Sequence, residues 1–317
     1  MDSRSEVLWQ ATIGWLKNWR GRWDRFWFAP ERPHGLAVMR AATGAMLAYV
    51  HIIWFSRQSD FFGANAWIDR EASRQLHEYD AAWSWLWYTE SSALISIHLV
   101  IAIVASLCVM VGLMTRIALP VVWLLTLMVC HRQTLALFGL DQIVMLLAMY
   151  LSLARSGSVL SVDARLRGRF GESWLLPNSR PAEFNRIAMR LIQLHLCVIY
   201  IFGGLSKMRG EMWYDGSAMW FALVNYEYQS MDLTWLGKSP LVISTLSAVT
   251  LFWETFYVAL VWPKVTRPIA VGLAFFMHAG IAIGLGMITF GTIMIVANLA
   301  FVSPRLWESL IEPRAKT

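Results

Sequence analysis

Basic residues cluster in every second connection between eight apolar segments, and this alternation restricts the chain to one kind of architecture. Residues 1–34, Arg116, residues 155–186, residues 263–267 and the tail from 304 together hold 18 of the 27 Lys and Arg. The intervening stretches 56–90, 131–134 and 206–240 hold 7, and Arg40 and Arg190 lie inside apolar segments. Membrane insertion keeps Lys and Arg on the cytoplasmic side. The pattern therefore predicts an all-α, polytopic integral membrane bundle of about eight transmembrane helices, with both termini cytoplasmic.

Hydrophobic residues make up 57% of the chain and charged residues 15%, whereas a soluble domain carries about 25% charge. One water-soluble core could not absorb that apolar excess, so much of it must face lipid. The net charge of +6 sits beside the spans rather than in a stripe. It predicts contact with anionic inner-leaflet membrane lipid and no nucleic-acid binding. Cys108, Cys130 and Cys197 fall in or at spans and form no CxxC pair, so neither a disulfide framework nor a thiol redox site is expected. The N-terminus lacks a short apolar core followed by small residues, and the first span is expected to insert the chain.

The spans are placed at 35–55, 91–113, 117–131, 135–154, 187–206, 241–262, 267–284 and 287–303, most near the ~20 residues that cross the hydrocarbon. Before them, residues 5–28 mix bulky apolar residues with Lys17, Arg20, Arg22 and Arg25. That composition predicts an amphipathic helix lying in the inner headgroup layer, ended by Pro30 and Pro33. The expected organisation is an interfacial segment 1–34, a membrane domain 35–303 and a cytoplasmic tail 304–317.

Ionisable residues are costly at the bilayer centre, about 2.5–3.5 kcal/mol on insertion scales, and so need an explanation. The alternation of spans places His51, His98, His131, Asp141, Lys207 and His278 toward the outer leaflet. His195 lies about 18 Å deeper than Lys207 at 1.5 Å per residue. Histidine titrates near neutrality, and a desolvated lysine can serve as a base toward a weakly acidic organic substrate. The structural alternatives are a snorkelling anchor for Lys207 and interhelical hydrogen bonds for the histidines. Glu254, midway along the sixth span, is expected in a structural polar network with Arg190, Arg40 or His195. The histidines occur singly, with no HxxxH or HExxH, so no metal site is expected.

Residues 200–216 read YIFGGLSKMRGEMWYDG. This segment resembles the vitamin K-dependent gamma-carboxylase group and its bacterial relatives, the horizontally transferred transmembrane domain proteins. Lys207, Trp213 and Gly216 fit the family pattern of a lysine-containing turn followed by Trp and a small step. GSVLSVDARL at 157–166, LFWETFYVALVW with Glu254, FFMHAGIAIGLGMITF with His278, and CHRQTLALFG with His131 are similar to further family segments in the same order.

The resemblance implies a bacterial cytoplasmic-membrane enzyme of carboxylase-like type, a lyase or quinol epoxidase, whose site faces outward. Its cofactor would be a reduced vitamin K-type, menaquinol-like isoprenoid quinone. It implies Lys207 as the base that deprotonates the quinol, with His131 and His278 positioning or stabilising the oxyanion. Trp213, Tyr214 and Tyr228 would cover the ring, with His51, His98 and Asp141 nearby. Two departures bear on this reading. Ser206 stands where the animal enzymes have the first of two lysines, and no lumenal region that presents glutamate is expected after the spans. The expected chemistry is thus the quinone-handling half rather than carboxylation of protein glutamate. Two other readings stay open: a non-catalytic lipid- or quinone-binding or transport protein, and a membrane scaffold for a redox or secreted protein partner.

Overall fold

A computed structural model describes residue 15, residues 18–63 and residues 66–311. Residues 5–14, 16 and 17 of the expected amphipathic helix and residues 312–317 of the tail lie outside the described residues. Residues 18–28 are helical, with Trp19 and Trp23 stacked at 5.6 Å and both half exposed.

Eight apolar helices follow: α1 (His34–Ser56), α2 (Ser92–Val111), α3 (Thr115–Arg132), α4 (Gly139–Leu153), α5 (Glu183–Lys207), α6 (Pro240–Leu260), α7 (Arg267–Gly284) and α8 (Ile288–Asn298). Among the described residues there is no strand, only an isolated bridge between Glu31 and Ala182. Six of these helices are long and apolar enough to cross a membrane. The expected fourth and eighth spans come out shorter. α4 has 15 residues, about 22 Å of helix, because Asp141 caps it on the Phe138 N–H at 2.9 Å. α8 ends in a 3₁₀ turn and then bends by 105° into α9 (Pro304–Ile311).

The helices turn apolar side chains outward, as a bilayer solvent requires. On α2, Leu94, Ile97, Ile101 and Val104 are exposed along one stripe, while Ile95, His98, Leu99, Ala102 and Val109 are buried along the other. α1 packs closely on α2 because Gly44 offers no side chain. A Cβ there would lie 2.7 Å from Met110 Cα.

The segments expected on the inner side do meet on one face of the bundle. Arg186 pairs with Glu31 at 2.9 Å, Arg190 donates to Phe26 O at 3.1 Å, and Arg32 lies 3.5 Å from Glu308. Both described ends are therefore on this basic face. Its framework is Arg40, fully buried. Its guanidinium donates to Ser156 O at 3.2 Å, Met110 O at 3.0 Å, Leu160 O at 2.7 Å and also to Val109 O. It thereby caps the C-terminal carbonyls of α2. Asp163 does the reciprocal work for α3, accepting from Met114 N, Thr115 N and Thr115 Oγ1 at 2.6–2.9 Å.

Candidate functional site

On the opposite face, α5 carries Gly203, Gly204 and Lys207 at its end. The two glycines let α6 approach. A Cβ on Gly204 would stand 2.7 Å from the Thr255 backbone nitrogen, and one on Gly203 would stand 3.3 Å from Glu254 Oε2. The approach sets Glu254 against Lys207, and Lys207 Nζ donates to Glu254 Oε2 at 2.6 Å. Lys207 is 29% exposed and Glu254 14%, so the pair is partly withdrawn from water. The ammonium also faces the Trp213 ring at 5.6 Å, a cation–π arrangement. Trp213 reaches it because the chain turns at Gly210 into the short helix Glu211–Tyr214.

Behind this pair lies a buried polar chain. Tyr257 Oη donates to Asn298 Oδ1 at 2.7 Å, Asn298 Nδ2 donates to Tyr200 Oη at 2.7 Å, and Tyr200 Oη lies 2.8 Å from His278 Nε2. Four helices contribute: α5, α6, α7 and α8. His278 is 5% exposed and Tyr257 fully buried. Tyr200 lies two turns before Lys207 on α5 and Tyr257 one turn after Glu254 on α6, so the ion pair and the chain share the same two helices.

Trp253 joins both to the lipid side. Its ring meets Tyr200 edge-on at 4.7 Å and also lines an apolar groove of about 510 Å³ between α6 and α7. Phe252, Leu260, Ile269 and Leu273 form other walls of that groove. Lys207 does not line it.

The expected histidines His51, His98 and His131, and Asp141, have other partners in the structure. His131 sits against the 56–90 connection, where its Nδ1 meets Trp83 O at 2.8 Å and Trp83 N at 3.1 Å. Its ring lies 6.0 Å from His77. His77 in turn contacts Asp80 Oδ2 and Thr134 Oγ1, each at 2.7 Å. That His77 contact and the Ala82 N–H hold the Asp80 carboxyl below the usual carboxylate range. His51 is bonded to Leu47 O at 2.8 Å and to Thr126 at 3.3 Å. His98 takes Trp85 Nε1 at 3.1 Å and faces Leu125 O at 3.1 Å. The contacts of His51, His98 and His131 are on α1, α2, α3 and the 56–90 connection. Asp141 is occupied as the cap of its own helix. Tyr214 is 68% exposed and Tyr228 37%.

The expected network of Glu254 with Arg190, Arg40 or His195 is corrected. Glu254 pairs with Lys207. Arg190 instead bonds Gln193 Oε1 at 2.7 Å and covers the Phe26 ring at 4.2 Å, on the basic face. His195 bonds the Tyr150 hydroxyl at 2.8 Å. The two sites lie at different depths, so Glu254 cannot serve both.

Sequence reasoning missed Tyr200, Tyr257 and Asn298. Asn298 carried a signal: it is the one carboxamide in the last apolar segment, and a buried amide needs partners. Among the described residues, no group of three or more His, Cys, Asp or Glu is placed to hold a metal.

A model of the HTTM domain matches residues 28–307, and that domain is found in vitamin K-dependent gamma-carboxylase. No curated protein and no solved structure matches the chain.

Proposed function

The chain belongs to the HTTM domain family, and on that premise we propose that it is a carboxylase-related membrane enzyme that deprotonates a reduced isoprenoid quinone at Lys207. The observation that carries this reading is the Lys207–Glu254 pair at 2.6 Å beside Trp213. An amine held against a carboxyl, partly out of water and under an aromatic ring, suits acid–base work on a flat, weakly acidic substrate.

Removal from water disfavours both charges of such a pair. Moving the Lys207 proton to Glu254 leaves a neutral amine beside a carboxylic acid. The amine then takes the hydroxyl proton of the substrate, giving an ammonium and an oxyanion that attract each other. Trp213 offers a face for the ring. The α6/α7 groove offers an apolar surface for the isoprenoid chain, with Trp253 between groove and polar centre. Dioxygen would be the oxidant that takes up the electrons of the quinol anion, and the residues named here supply orientation, proton transfer and charge.

The positive-inside rule assigns the basic face to the cytoplasm and the Lys207 end to the outer side. His131 enters this reading as a component of the outer-loop packing, since its contacts are with Trp83 and His77.

The test is to extract the purified protein with organic solvent, identify any quinone, and assay oxidation of added menaquinol by wild type and Lys207→Ala. Turnover lost in the variant supports the base. Equal turnover in both removes it and leaves the lipid-binding reading, to which the α6/α7 groove already lends support.

A further inference from the structure

The connection between α6 and α7, residues 261–266, sets unneutralised positive charge at the end of an apolar hollow. Arg267 donates to Val261 O at 3.0 Å and to Trp262 O at 2.6 Å, and Thr266 Oγ1 donates to Leu260 O at 2.5 Å. The guanidinium thereby sits at the C-terminal end of α6, where a helix favours positive charge. Leu260 and Thr266 are also walls of the α6/α7 groove, so Arg267 is fixed at the mouth of that groove. Arg190 reaches the same connection from α5, with its guanidinium 5.4 Å from the Trp262 ring. Lys264 stands exposed within the connection.

No Asp or Glu occurs from residue 255 to residue 307, and Glu31 on the basic face is paired with Arg186. Among the described residues no carboxylate pairs with Lys264, Arg267 or Arg190. The bonds above use two of the five N–H donors of Arg267, which leaves three for an anion. The groove has the opposite character. Buried Trp253 and Ala270 form its floor, and exposed Phe252 and Ile269 its rims. Trp253 Nε1 donates to Ala270 O at 3.0 Å, and Thr266 Oγ1 is engaged with Leu260, so every polar side-chain atom of the lining is already paired. Along α6 the walls run from Ala248 to Leu260, about 18 Å of helix. One leaflet is about 15 Å of hydrocarbon, half of the ~30 Å core. The groove thus reaches from the basic end to about the bilayer midplane.

We propose that the α6/α7 groove holds one acyl chain of an anionic phospholipid of the cytoplasmic leaflet, with the lipid phosphate at Lys264 and Arg267. Depth and charge together select this occupant. A chain that starts in the headgroup layer and ends near the midplane matches the groove, and a phosphate matches cations that lack a carboxylate. A zwitterionic lipid would bring its own ammonium against them. A second copy docking through this face would be related by an axis along the membrane normal, which sets Lys264 and Arg267 near their own copies at one depth. The site stands at the basic end of the bundle and does not depend on the reading of Lys207 as a base. An isoprenoid chain enters the groove only as the acyl chain leaves, so the phospholipid competes with the substrate proposed above.

The experiment uses the full-length protein in phosphatidylcholine nanodiscs that contain a small share of photoactivatable lipid, with a diazirine on the acyl chain. The probe is phosphatidylglycerol in one set and phosphatidylcholine in the other. Adducts are mapped by peptide mass spectrometry. The phosphatidylglycerol probe should label Phe252, Ile269 and Leu273 more strongly than the phosphatidylcholine probe, while the lipid-facing stripe of α2 is labelled alike by both. Lys264→Gln changes an exposed side chain and should lower groove labelling by phosphatidylglycerol about fivefold, the scale of one cation at an anionic surface. Ala248→Phe fills the midplane end of the groove from its exposed side and should lower groove labelling by both probes.

Groove labelling no stronger than that of the α2 stripe overturns the site. Equal labelling of the groove by the two probes, or phosphatidylglycerol labelling that Lys264→Gln leaves unchanged, overturns the assignment of the phosphate. Labelling that survives Ala248→Phe places the chain outside the groove and overturns its path. Adducts between α6 of two copies in place of lipid adducts give this face to a dimer and overturn the proposal as a whole.

Discussion

Lys207 and Glu254 meet at 2.6 Å because neither Gly203 nor Gly204 puts a side chain between α5 and α6. The ion pair is thus a product of helix approach as much as of charge. Removing one partner of a buried pair strands the other's charge, whereas removing both does not. With Lys207 29% exposed, the full buried cost does not apply. Glu254→Gln and Lys207→Met should each lower stability by about 2 kcal/mol, and the double variant should lose less than the sum. Thermal unfolding in detergent across the four proteins measures the coupling; additive losses would show that the two groups do not interact.

Gly204 makes the sharper steric prediction. Its Cβ would meet Thr255 backbone atoms, which cannot swing aside as a side chain can. Gly204→Ala should cost about 1–3 kcal/mol through overpacking and should weaken the Lys207–Glu254 pair. Gly203→Ala meets only the Glu254 carboxylate at 3.3 Å and should be milder. A cysteine pair placed across α5 and α6 would register the change in spacing as a slower crosslinking rate in Gly204→Ala than in Gly203→Ala.

Arg40 is expected to tolerate no conservative replacement. Its planar guanidinium donates to two carbonyls at the end of α2 and two in the connection after α4, a geometry that an ammonium cannot reproduce. Arg40→Lys should therefore lose about 2 kcal/mol or more, close to the loss in Arg40→Met. Near-wild-type unfolding of Arg40→Lys would show that charge alone suffices there.

The eight apolar segments were legible because a bilayer makes residue polarity report directly on position. The grouping of basic connections was equally legible, and Arg186–Glu31 and Arg32–Glu308 join three of those stretches on one face. The partners of Lys207 were not readable. Which residue of α6 faces Lys207 depends on the rotation of one helix against another, and a glycine pair sets it by what it lacks. For the same reason, depth alone put His131 and His278 in one group, although His131 belongs to the α1–α3 half and His278 to the α5–α8 half. Depth is one coordinate, and a site needs three.

Glu31 gives a pH prediction with a definite sign. It is 7% exposed, and burial pushes its carboxyl above the ordinary range, against the pull of Arg186 and Arg190. A raised carboxyl binds its proton more tightly in the folded state. The stability it confers is therefore full below its unfolded pKa of about 4.3 and is lost as pH rises through the folded value. The stability of wild type relative to Glu31→Gln should be greatest near pH 4 and decline above it. A relative stability that instead grows with pH would mean that Arg186 outweighs burial.

The meeting of the two described ends has a mechanical meaning. Trp307 on α9 lies where a side chain on Gly35 would stand, 2.9 Å from such a Cβ, so the last helix is latched onto the first. α8, just before it, packs on α1, α4 and α5, so the end of the helix series closes against its beginning. At the seam between α6 and α7, hollowed to about 510 Å³, two neighbouring helices instead stand apart over an apolar floor.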